Sequence, residues 1–358
     1  MIRLSQVLFS LLACGAALAQ DVRPRLRPLN DQSNNFKSGP AVGAHIPDFE
    51  AVDIDGKRQT FDTLRGPRGL VLVFARSADW CPYCKTQLAD LNRQAEGFRK
   101  RGLNVASLTY DSVDILKTFS ARIGIKYTML SDPESKVIRA FDILNTNVPP
   151  GPRFGIPFPG TYVINEKGIV TAKYFDDDYR ERFSAASMLT REFGEGGAEK
   201  TTVENAQIKL TYYASDAMLA PGHRTALVLE VEPKPKMHLY APGVDRYIPI
   251  DWQMAKSKAW VSFPAAYPAS RKLNLPVIKE MVPVYDRPVR LVRDITLGLD
   301  PELAPALSAD RTLTVEGFFR YQACDDRECY LPKTIPLRWT FQVGQLDMQR
   351  VPEPLQRK

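Results

Sequence analysis

An apolar, strand-forming run leads directly into a closely spaced pair of cysteines: Leu70-Val71-Leu72-Val73-Phe74, then Ala75-Arg76-Ser77-Ala78-Asp79, then Trp80-Cys81-Pro82-Tyr83-Cys84-Lys85. The run predicts a buried strand. Apolar residues then recur at helical spacing, at Leu88, Leu91, Ala95 and Phe98, and Gly102 marks the end of that helix. Cys81 therefore stands at a helix start, where the dipole and unpaired N–H groups stabilise a thiolate. Cys84, one turn later, can resolve a mixed disulfide formed on Cys81.

Alternating strands and helices are predicted around this segment, over residues 41–192. Val105–Thr109 has the pattern of a strand and Val113–Ile123 that of a helix. Thr161–Ile164 and Ile169–Tyr174 flank a turn at Asn165-Glu166-Lys167-Gly168, which predicts a hairpin. The alternation predicts an α/β sheet domain.

The pattern changes at a glycine-rich linker, residues 193–202, centred on Gly194–Gly197. Short strand-like segments with frequent prolines follow, and they predict an all-β sandwich over residues 203–345. The strand candidates are Ala226–Val231, Ala259–Phe263, Val289–Ile295, Leu313–Phe319 and Leu337–Val343. Residues 346–358 are predicted to be a loose tail.

The first 19 residues have the pattern of a signal peptide. Arg3 is the positive residue, Val7–Ala19 is apolar, and Ala17-Leu18-Ala19 fits the small-residue cleavage rule. An alternative is a lipid attachment site at Cys14, which follows Leu11-Leu12-Ala13. Residues 20–40 are polar and predicted to be disordered. We therefore expect an exported, periplasmic or otherwise extracytoplasmic protein without a membrane span.

Composition narrows the class of protein. The 358 residues carry a formal net charge of +7, without the dense basic stripe typical of nucleic-acid-binding proteins. Beyond Cys14, the cysteines fall in two close pairs, Cys81 with Cys84 and Cys324 with Cys329. Such short loops gain little stability from a disulfide, which favours redox chemistry over a structural role.

A structural disulfide and half of a zinc site are the alternatives for Cys81 and Cys84. Zinc would need two further ligands. None of the three histidines, His45, His223 and His238, lies at ligand spacing from the pair. The strand–turn–helix context, Trp80 and Lys85 favour redox use.

Residues 43–192 resemble the redoxin branch of the thioredoxin superfamily, which includes thiol-disulfide reductases and AhpC/TSA proteins. The resemblance is carried by Gly43-x-x-Ile46-Pro47-Asp48-Phe49, Asp55-Gly56-Lys57, Leu64-Arg65-Gly66 and Pro159-Gly160-Thr161-Tyr162-Val163-Ile164-Asn165. It implies a thioredoxin-like fold with Cys81 and Cys84 as the catalytic pair. Trp80, Pro82, Tyr83, Phe158 and Pro159 would line the substrate site.

The resemblance also distinguishes two chemistries. Peroxiredoxins carry Pro-x-x-x-Thr-x-x-Cys and a later Arg, and here Phe74, Ala78 and Pro159 occupy those positions. Thioredoxins instead place a cis-proline beside the first cysteine, which predicts a cis Phe158–Pro159 bond. Thioredoxin's buried Asp is replaced by Ala75, and Asp79 is expected to be exposed, so no general base for Cys84 is identified.

The second cysteine pair lies in Tyr321-Gln322-Ala323-Cys324-Asp325-Asp326-Arg327-Glu328-Cys329-Tyr330-Leu331-Pro332. Strand-like residues flank a charged turn, so a hairpin can bring the sulfurs together, and local reasoning leaves redox and structural roles open. The segment resembles the active-site hairpin of the N-terminal periplasmic domain of the thiol:disulfide interchange protein DsbD. Met237-His238-Leu239-Tyr240-Ala241-Pro242-Gly243, Trp252 and Val282-Pro283-Val284-Tyr285 also match. That resemblance implies an immunoglobulin-like sandwich with catalytic Cys324 and Cys329.

We therefore expect an exported thiol-disulfide oxidoreductase that acts on protein thiols and disulfides and needs no cofactor. A separate protein would donate electrons, and two pairs on one chain suggest an internal relay. The first alternative is a thiol-dependent peroxidase, and the second is a non-catalytic metal-binding module. Met237 and His238 also raise the possibility of copper, but copper carriers usually group several Met and His ligands.

Overall fold

The computed structural model describes residues 36–194, 197, 199–244, 246–275 and 280–358. The predicted signal peptide, the alternative lipid site at Cys14, most of the predicted N-terminal tail and the centre of the linker lie outside the described residues. Within them, no helix is both long enough and apolar enough to cross a membrane.

Strands and helices alternate through the first part of the chain, as predicted. The strands are β1 (Glu50–Asp53), β2 (Arg58–Thr60), β3 (Gly69–Phe74), β4 (Leu103–Thr109), β5 (Thr128–Ser131), β6 (Gly160–Asn165), β7 (Val170–Phe175) and β8 (Arg182–Phe183). The helices are α1 (Phe61–Leu64), α2 (Pro82–Arg99), α3 (Val113–Ile123), α4 (Lys136–Ala140) and α5 (Ala185–Phe193). Seven strands form one sheet in two groups, β2-β1-β5-β4 and β3-β6-β7.

Strand β3 is buried on both faces, and this places the cysteine pair. Val71 and Val73 join the core that α2 covers, whereas Leu70 and Leu72 join the core on the opposite face. This alternation follows from the two-residue period of a strand. Since α2 begins just beyond the carboxyl end of β3, its first turn stands at the sheet edge with Cys81 as its N-cap.

The second part of the chain consists mainly of strands. They are β9 (Thr201–Glu204), β10 (Ile208–Ala214), β11 (Met218–Leu219), β12 (His223–Pro233), β13 (His238–Tyr240), β14 (Asp251–Met254), β15 (Trp260–Ser262), β16 (Arg271–Leu275), β17 (Glu280–Tyr285), β18 (Val289–Leu297), β19 (Thr312–Tyr321), β20 (Ala323–Cys324) and β21 (Lys333–Val343), with one short helix, α6 (Asp300–Leu303). They form sheets in the orders β15-β18-β12-β10-β9, β11-β21-β19-β14 and β16-β17-β13-β20. The strand-rich character was predicted, and the immunoglobulin-like topology stays a prediction.

The two parts are joined by backbone hydrogen bonds as well as by the linker. Strand β8 of the first part pairs in parallel with β12 of the second. The Arg182 N–H donates to the Gly222 carbonyl at 2.9 Å, close to Tyr83. Gly222 has φ +77°, and a Cβ there would lie 2.3 Å from the Arg180 carbonyl oxygen. Glycine is therefore required where the second part approaches the cysteine pair.

The described end of the predicted N-terminal tail, residues 36–40, and the predicted C-terminal tail both contact the first part of the chain. Phe36 packs edge-on against Phe158 with ring centroids 5.4 Å apart, and the Ser38 carbonyl accepts a hydrogen bond from Tyr162 at 2.5 Å. At the other end, residues 346–358 lie on the first domain, and Val351 is only 6% exposed. The prediction of a loose tail failed there because its polar residues find buried charged partners far away in sequence.

Candidate active site

Cys81 and Cys84 meet in the first turn of α2. Cys81 is the N-cap, and its Sγ accepts the Cys84 N–H at 3.4 Å. The two sulfurs lie 2.6 Å apart as free thiols. Cys81 is 1% exposed and Cys84 is 0% exposed. The two thiols are therefore close enough to share a proton in a site that is almost fully buried.

Two arginines, Arg76 and Arg182, lie next to the sulfur of Cys84. The Arg76 backbone N–H donates to Cys84 Sγ at 3.3 Å, and the Arg182 guanidinium lies 4.0 Å from the same sulfur. Burial opposes ionisation of Cys84, but the hydrogen bond from Cys81 and the charges of Arg182 and Arg76 outweigh it and lower its pKa well below the usual value. Burial and the neighbouring Cys84 thiolate raise the pKa of Cys81. The closed site thus holds the negative charge on Cys84.

The helix start alone predicts a lower pKa for Cys81 than for Cys84. In the structure both thiols are buried, and Cys84 receives more hydrogen-bond donors than Cys81. The helix dipole acts on both sulfurs because they share one turn. The arginine neighbours then favour Cys84.

Aromatic rings stand on either side of the pair. Trp80 donates its indole N–H to the Tyr110 hydroxyl at 2.8 Å, and the Arg76 guanidinium lies 5.0 Å from the Trp80 ring centroid. Tyr83 packs edge-on against Tyr179, with ring centroids 6.0 Å apart, and burial raises the pKa of Tyr83 to about 12. Pro82 occupies the first helical position, where its missing N–H costs nothing. The structure therefore brings Trp80, Pro82 and Tyr83 together around the cysteines.

Phe158 and Pro159 do not take the predicted role. The described residues contain no cis peptide bond, so the Phe158–Pro159 bond is trans. The Phe158 N–H donates to the Ile143 carbonyl at 2.7 Å, and its ring packs on Phe36. Pro159 directly precedes β6, and an extended strand entry suits a trans proline. The prediction of a thioredoxin-type cis-proline is wrong.

Asp79 is buried rather than exposed. It is 1% exposed, and its carboxylate accepts hydrogen bonds from Arg350 and from the Val351 N–H. A second buried carboxylate, Asp111, accepts from the Ala78 N–H at 2.6 Å and from the Ser77 hydroxyl at 2.9 Å. Burial raises the pKa of Asp111 to about 6. These carboxylates hold the loop that carries Trp80 and Cys81.

The second pair, Cys324 and Cys329, forms a disulfide with an S–S distance of 2.05 Å. The Tyr240 hydroxyl lies 3.4 Å from Cys324 Sγ and 3.5 Å from Cys329 Sγ. Tyr247 stacks on Tyr240 with ring centroids 4.2 Å apart. The hairpin expected from the sequence is present, with aromatic rings beside the sulfurs.

The two cysteine pairs lie near opposite ends of β12. Arg182, which approaches Cys84, pairs with the first residue of β12. Tyr321, three residues before Cys324, donates to the Gln207 side chain at 3.2 Å, and the Gln207 carbonyl binds the residue after β12. The 11 residues of β12 span roughly 33 Å at about 3.3 Å each. The two pairs therefore lie near opposite ends of this strand, and the internal relay suggested by the sequence stays a prediction.

The histidines and methionine considered for metal binding lie in packed surroundings. Met237 packs against the main core of the second part, and His238 contacts Tyr240 edge-on. Among the residues that the structure describes, no group of three or more His, Cys, Asp or Glu side chains is placed to hold a metal ion.

Sequence reasoning missed Arg76, Arg182, Asp111 and Arg350. Arg182 is 98 positions from Cys84, and Arg350 is 271 positions from Asp79. No local pattern predicts such long-range pairs. If Asp79 had been predicted to be buried, a cationic or N–H partner could have been expected for it, because a buried carboxylate needs such a partner.

Comparisons with known proteins agree with the first part of this structure. Residues 42–173 match the model of the AhpC/TSA family. Alkyl hydroperoxide reductase C of Staphylococcus aureus is 30% identical over 146 residues, which cover 38% of this chain and 73% of that protein.

Solved structures similar to the chain are those of AhpC from Enterococcus faecalis and peroxiredoxin Q from Xanthomonas campestris. The first is 22% identical with a TM-score of 0.35, covering 44% of this chain and 98% of that chain. The second is 24% identical with a TM-score of 0.31, covering 36% and 79%. On the sequence matches, this chain belongs to the AhpC/TSA family, through a thioredoxin-like redoxin domain at residues 42–173.

Proposed function

We propose that the chain is a thiol-dependent peroxidase that uses Cys81 and Cys84 as a dithiol. The observation that carries this proposal is the closed setting of the pair, with both sulfurs buried and Arg76 and Arg182 beside them. A small hydroperoxide can enter such a site more easily than the disulfide of a folded protein. The similarity to alkyl hydroperoxide reductase C supports the same chemistry.

The reaction balances with the two thiols alone. One thiolate attacks the hydroperoxide, the O–O bond breaks, and the alcohol leaves after taking up a proton. The resulting sulfenic acid is attacked by the second thiol, which forms the Cys81–Cys84 disulfide and releases water. An external thiol donor then reduces the disulfide.

Cys81 is proposed as the sulfur that attacks the hydroperoxide. It is the N-cap of α2, where the helix dipole and backbone N–H groups stabilise a thiolate. Transfer of its proton to Cys84, whose sulfur lies 2.6 Å away, would generate the attacking thiolate.

The chain lacks three residues of the peroxiredoxin pattern, and their absence affects how the peroxide is held for reaction. Phe74, Ala78 and Pro159 replace the residues that orient the peroxide in that family. Arg182 supplies a guanidinium from a different strand, 4.0 Å from Cys84 Sγ. We propose that Arg182 and Arg76 together stabilise the thiolate and the departing oxygen.

The test compares two classes of oxidised substrate, hydroperoxides and a protein disulfide, with the same purified full-length chain. Consumption of hydrogen peroxide and cumene hydroperoxide is followed with dithiothreitol as the reductant, and reduction of insulin disulfides is followed separately. The proposal expects peroxide-dependent turnover well above the uncatalysed rate. Insulin reduction without peroxide consumption would reject it in favour of disulfide exchange.

Thiol–disulfide exchange with proteins is the second candidate function. The disulfide between Cys324 and Cys329, beside Tyr240 and Tyr247, favours it, as does the two-residue spacing of the first pair. In this version a separate electron-donor protein reduces the second pair, as the resemblance to the DsbD domain implies. Relay to Cys81 and Cys84 would then require the two parts to separate or two copies to meet.

Export is proposed as the setting of this chemistry. The apolar run Val7–Ala19 and the Ala17-Leu18-Ala19 cleavage pattern support it. N-terminal sequencing of the protein from fractionated cells checks it, with a new terminus at Gln20 expected in the extracytoplasmic fraction. An intact Met1 terminus in the cytoplasm would contradict it.

A further inference from the structure

The carboxyl-terminal segment, residues 346–358, crosses the first domain on both sides of the cysteine motif. It binds Asp79, two positions before Cys81, and Lys85, immediately after Cys84. Both contacted side chains are 1% exposed. We call this segment the strap.

Asp79 is held by the strap through three donors. Arg350 donates from Nε at 2.9 Å and from its terminal nitrogen at 2.5 Å, and the Val351 N–H donates at 2.9 Å. A fork of this kind is the strongest arrangement for binding a carboxylate. A buried carboxylate without such partners would be costly, so Asp79 depends on the strap.

The strap also binds Lys85, a buried cation, through groups that carry full or partial negative charge. Its ammonium donates to the Gln349 carbonyl and lies 3.7 Å from the Asp347 carboxylate. Asp347 also accepts from Arg122 of α3 at 2.6 Å. The surface under the strap therefore presents an anion, Asp79, at one end and the cations Lys85 and Arg122 at the other, matching an arginine and an acidic residue three positions apart.

The strap also reaches Trp80 through Tyr110. The Arg357 guanidinium donates to the Tyr110 carbonyl at 3.1 Å and lies 4.3 Å from the Tyr110 ring centroid. The Tyr110 hydroxyl accepts the Trp80 indole N–H. The strap thus fixes residues before, beside and after the cysteine pair.

Charged groups rather than apolar burial dominate this contact. Val351 is buried, but Met348 is 71% exposed, and the Arg350 side chain keeps 45% of its surface in solvent. Few apolar side chains of the strap are buried, so its release uncovers little apolar surface of the first domain.

We propose that the strap is an intramolecular ligand of a peptide-binding groove beside Cys81 and Cys84, and that its release exposes these two thiols to a partner protein. The groove takes an extended segment in which an acidic side chain precedes an arginine by three positions. The proposal rests on the Cys81–Cys84 pair as the reactive centre but not on the oxidant that the pair uses.

The experiment measures alkylation of Cys81 and Cys84 by N-ethylmaleimide in the reduced protein, quantified by peptide mass spectrometry. Four proteins are compared: the full chain, a chain ending at Gly344, Arg350→Ala and the control Arg338→Ala. Arg338 pairs with exposed Glu316 on β19 at 2.9 Å, away from the strap. A synthetic peptide of residues 345–358 is then added back to the shortened chain.

Release of the strap is expected to speed alkylation by about tenfold in the shortened chain. Arg350→Ala should give a smaller increase, Arg338→Ala none, and the added peptide should slow the shortened chain again. Equal rates in the full and shortened chains would overturn the proposal, as would a peptide without effect. Where the shortened chain does not fold, equal rates for Arg350→Ala and Arg338→Ala overturn it.

Peroxide consumption is measured with the same variants, so that failure of the strap proposal can be told apart from failure of the proposed peroxidase function. Faster alkylation in a chain that consumes no hydroperoxide supports the strap and rejects the peroxidase. Unchanged alkylation in a chain that consumes hydroperoxide rejects the strap and leaves the peroxidase standing.

Discussion

The two cysteine pairs of this chain are both closely spaced, yet they differ in secondary structure and in neighbouring charges, although Cys324 is as buried as Cys81. Cys81 and Cys84 are thiols in a helix turn, fully buried and next to Arg76 and Arg182. Cys324 and Cys329 form a disulfide across a β-hairpin whose turn carries Asp325, Asp326 and Glu328. Spacing alone therefore says little about how a pair is used.

The difference has a physical cause. A helix N-terminus and nearby guanidinium groups stabilise a thiolate, which is the reactive form of cysteine. A hairpin instead places two sulfurs on neighbouring strand positions, where a closed disulfide fits without a charge to stabilise. The first pair thus lies where a thiolate is stabilised, whereas the second lies in a hairpin in which Cys324 is buried and Cys329 is exposed.

The largest effect is expected from removing the first pair. Cys81→Ser should lower peroxide consumption by about a thousandfold, because no thiolate then attacks the oxidant. Because Cys84 also takes up the proton of Cys81 in the proposed reaction, Cys84→Ser should slow the oxidation of Cys81 and prevent formation of the Cys81–Cys84 disulfide. The double variant Cys324→Ser, Cys329→Ser should keep peroxide turnover with dithiothreitol, measured in the same assay. Loss of turnover in that double variant would show that peroxide consumption also needs the second pair, and would contradict the prediction.

A second prediction concerns exchange between the pairs. In the double variant Cys84→Ser, Cys329→Ser, we expect no Cys81–Cys324 bond within one chain, because the pairs lie near opposite ends of β12. Non-reducing electrophoresis and mass spectrometry of the monomer band measure this. A bond between Cys81 and Cys324 inside a monomer would show that the two parts separate in solution.

The smallest effect is expected from replacing a buried acidic residue at the contact between the two parts of the chain, and it concerns stability. Burial raises the pKa of Glu181 to about 7 and that of Asp216 to about 6. A raised carboxyl pKa favours the protonated folded state. The stabilising contribution is therefore complete below the unfolded pKa and is lost as pH rises through the folded value.

Glu181→Gln should consequently reduce the slope of the free energy of unfolding against pH between about pH 5 and pH 8. The reduction is up to about 1.4 kcal/mol for each pH unit. The Gln side chain can still accept the hydrogen bond from Thr296. Urea unfolding at several pH values measures the effect, with Glu316→Gln on the exposed face of β19 as the matched control. Identical curves for Glu181→Gln and the parent would show that this carboxyl is solvated.

Much of the local structure follows from sequence pattern. The apolar run from Leu70 to Phe74 forms β3, the periodic residues after Cys84 form α2, and Val113–Ile123 forms α3 as predicted. These elements are set by the two-residue and 3.6-residue periods of buried side chains, which neighbouring positions encode. The cysteine pair at the start of α2 follows from the same pattern.

Contacts between distant residues were decided only by the tertiary structure. Whether Asp79 is exposed depends on Arg350, and which sulfur holds the charge depends on Arg182. The trans Phe158–Pro159 bond likewise lies among contacts with residues distant in sequence, since the Phe158 N–H binds the Ile143 carbonyl and the Phe158 ring packs on Phe36. A charged side chain encodes no partner in its own neighbourhood, because the energy of burying it depends on groups that folding brings from elsewhere in the chain. The sequence by itself determined the helix turn that carries the two thiols, and the tertiary structure determined the charges and the strap around them.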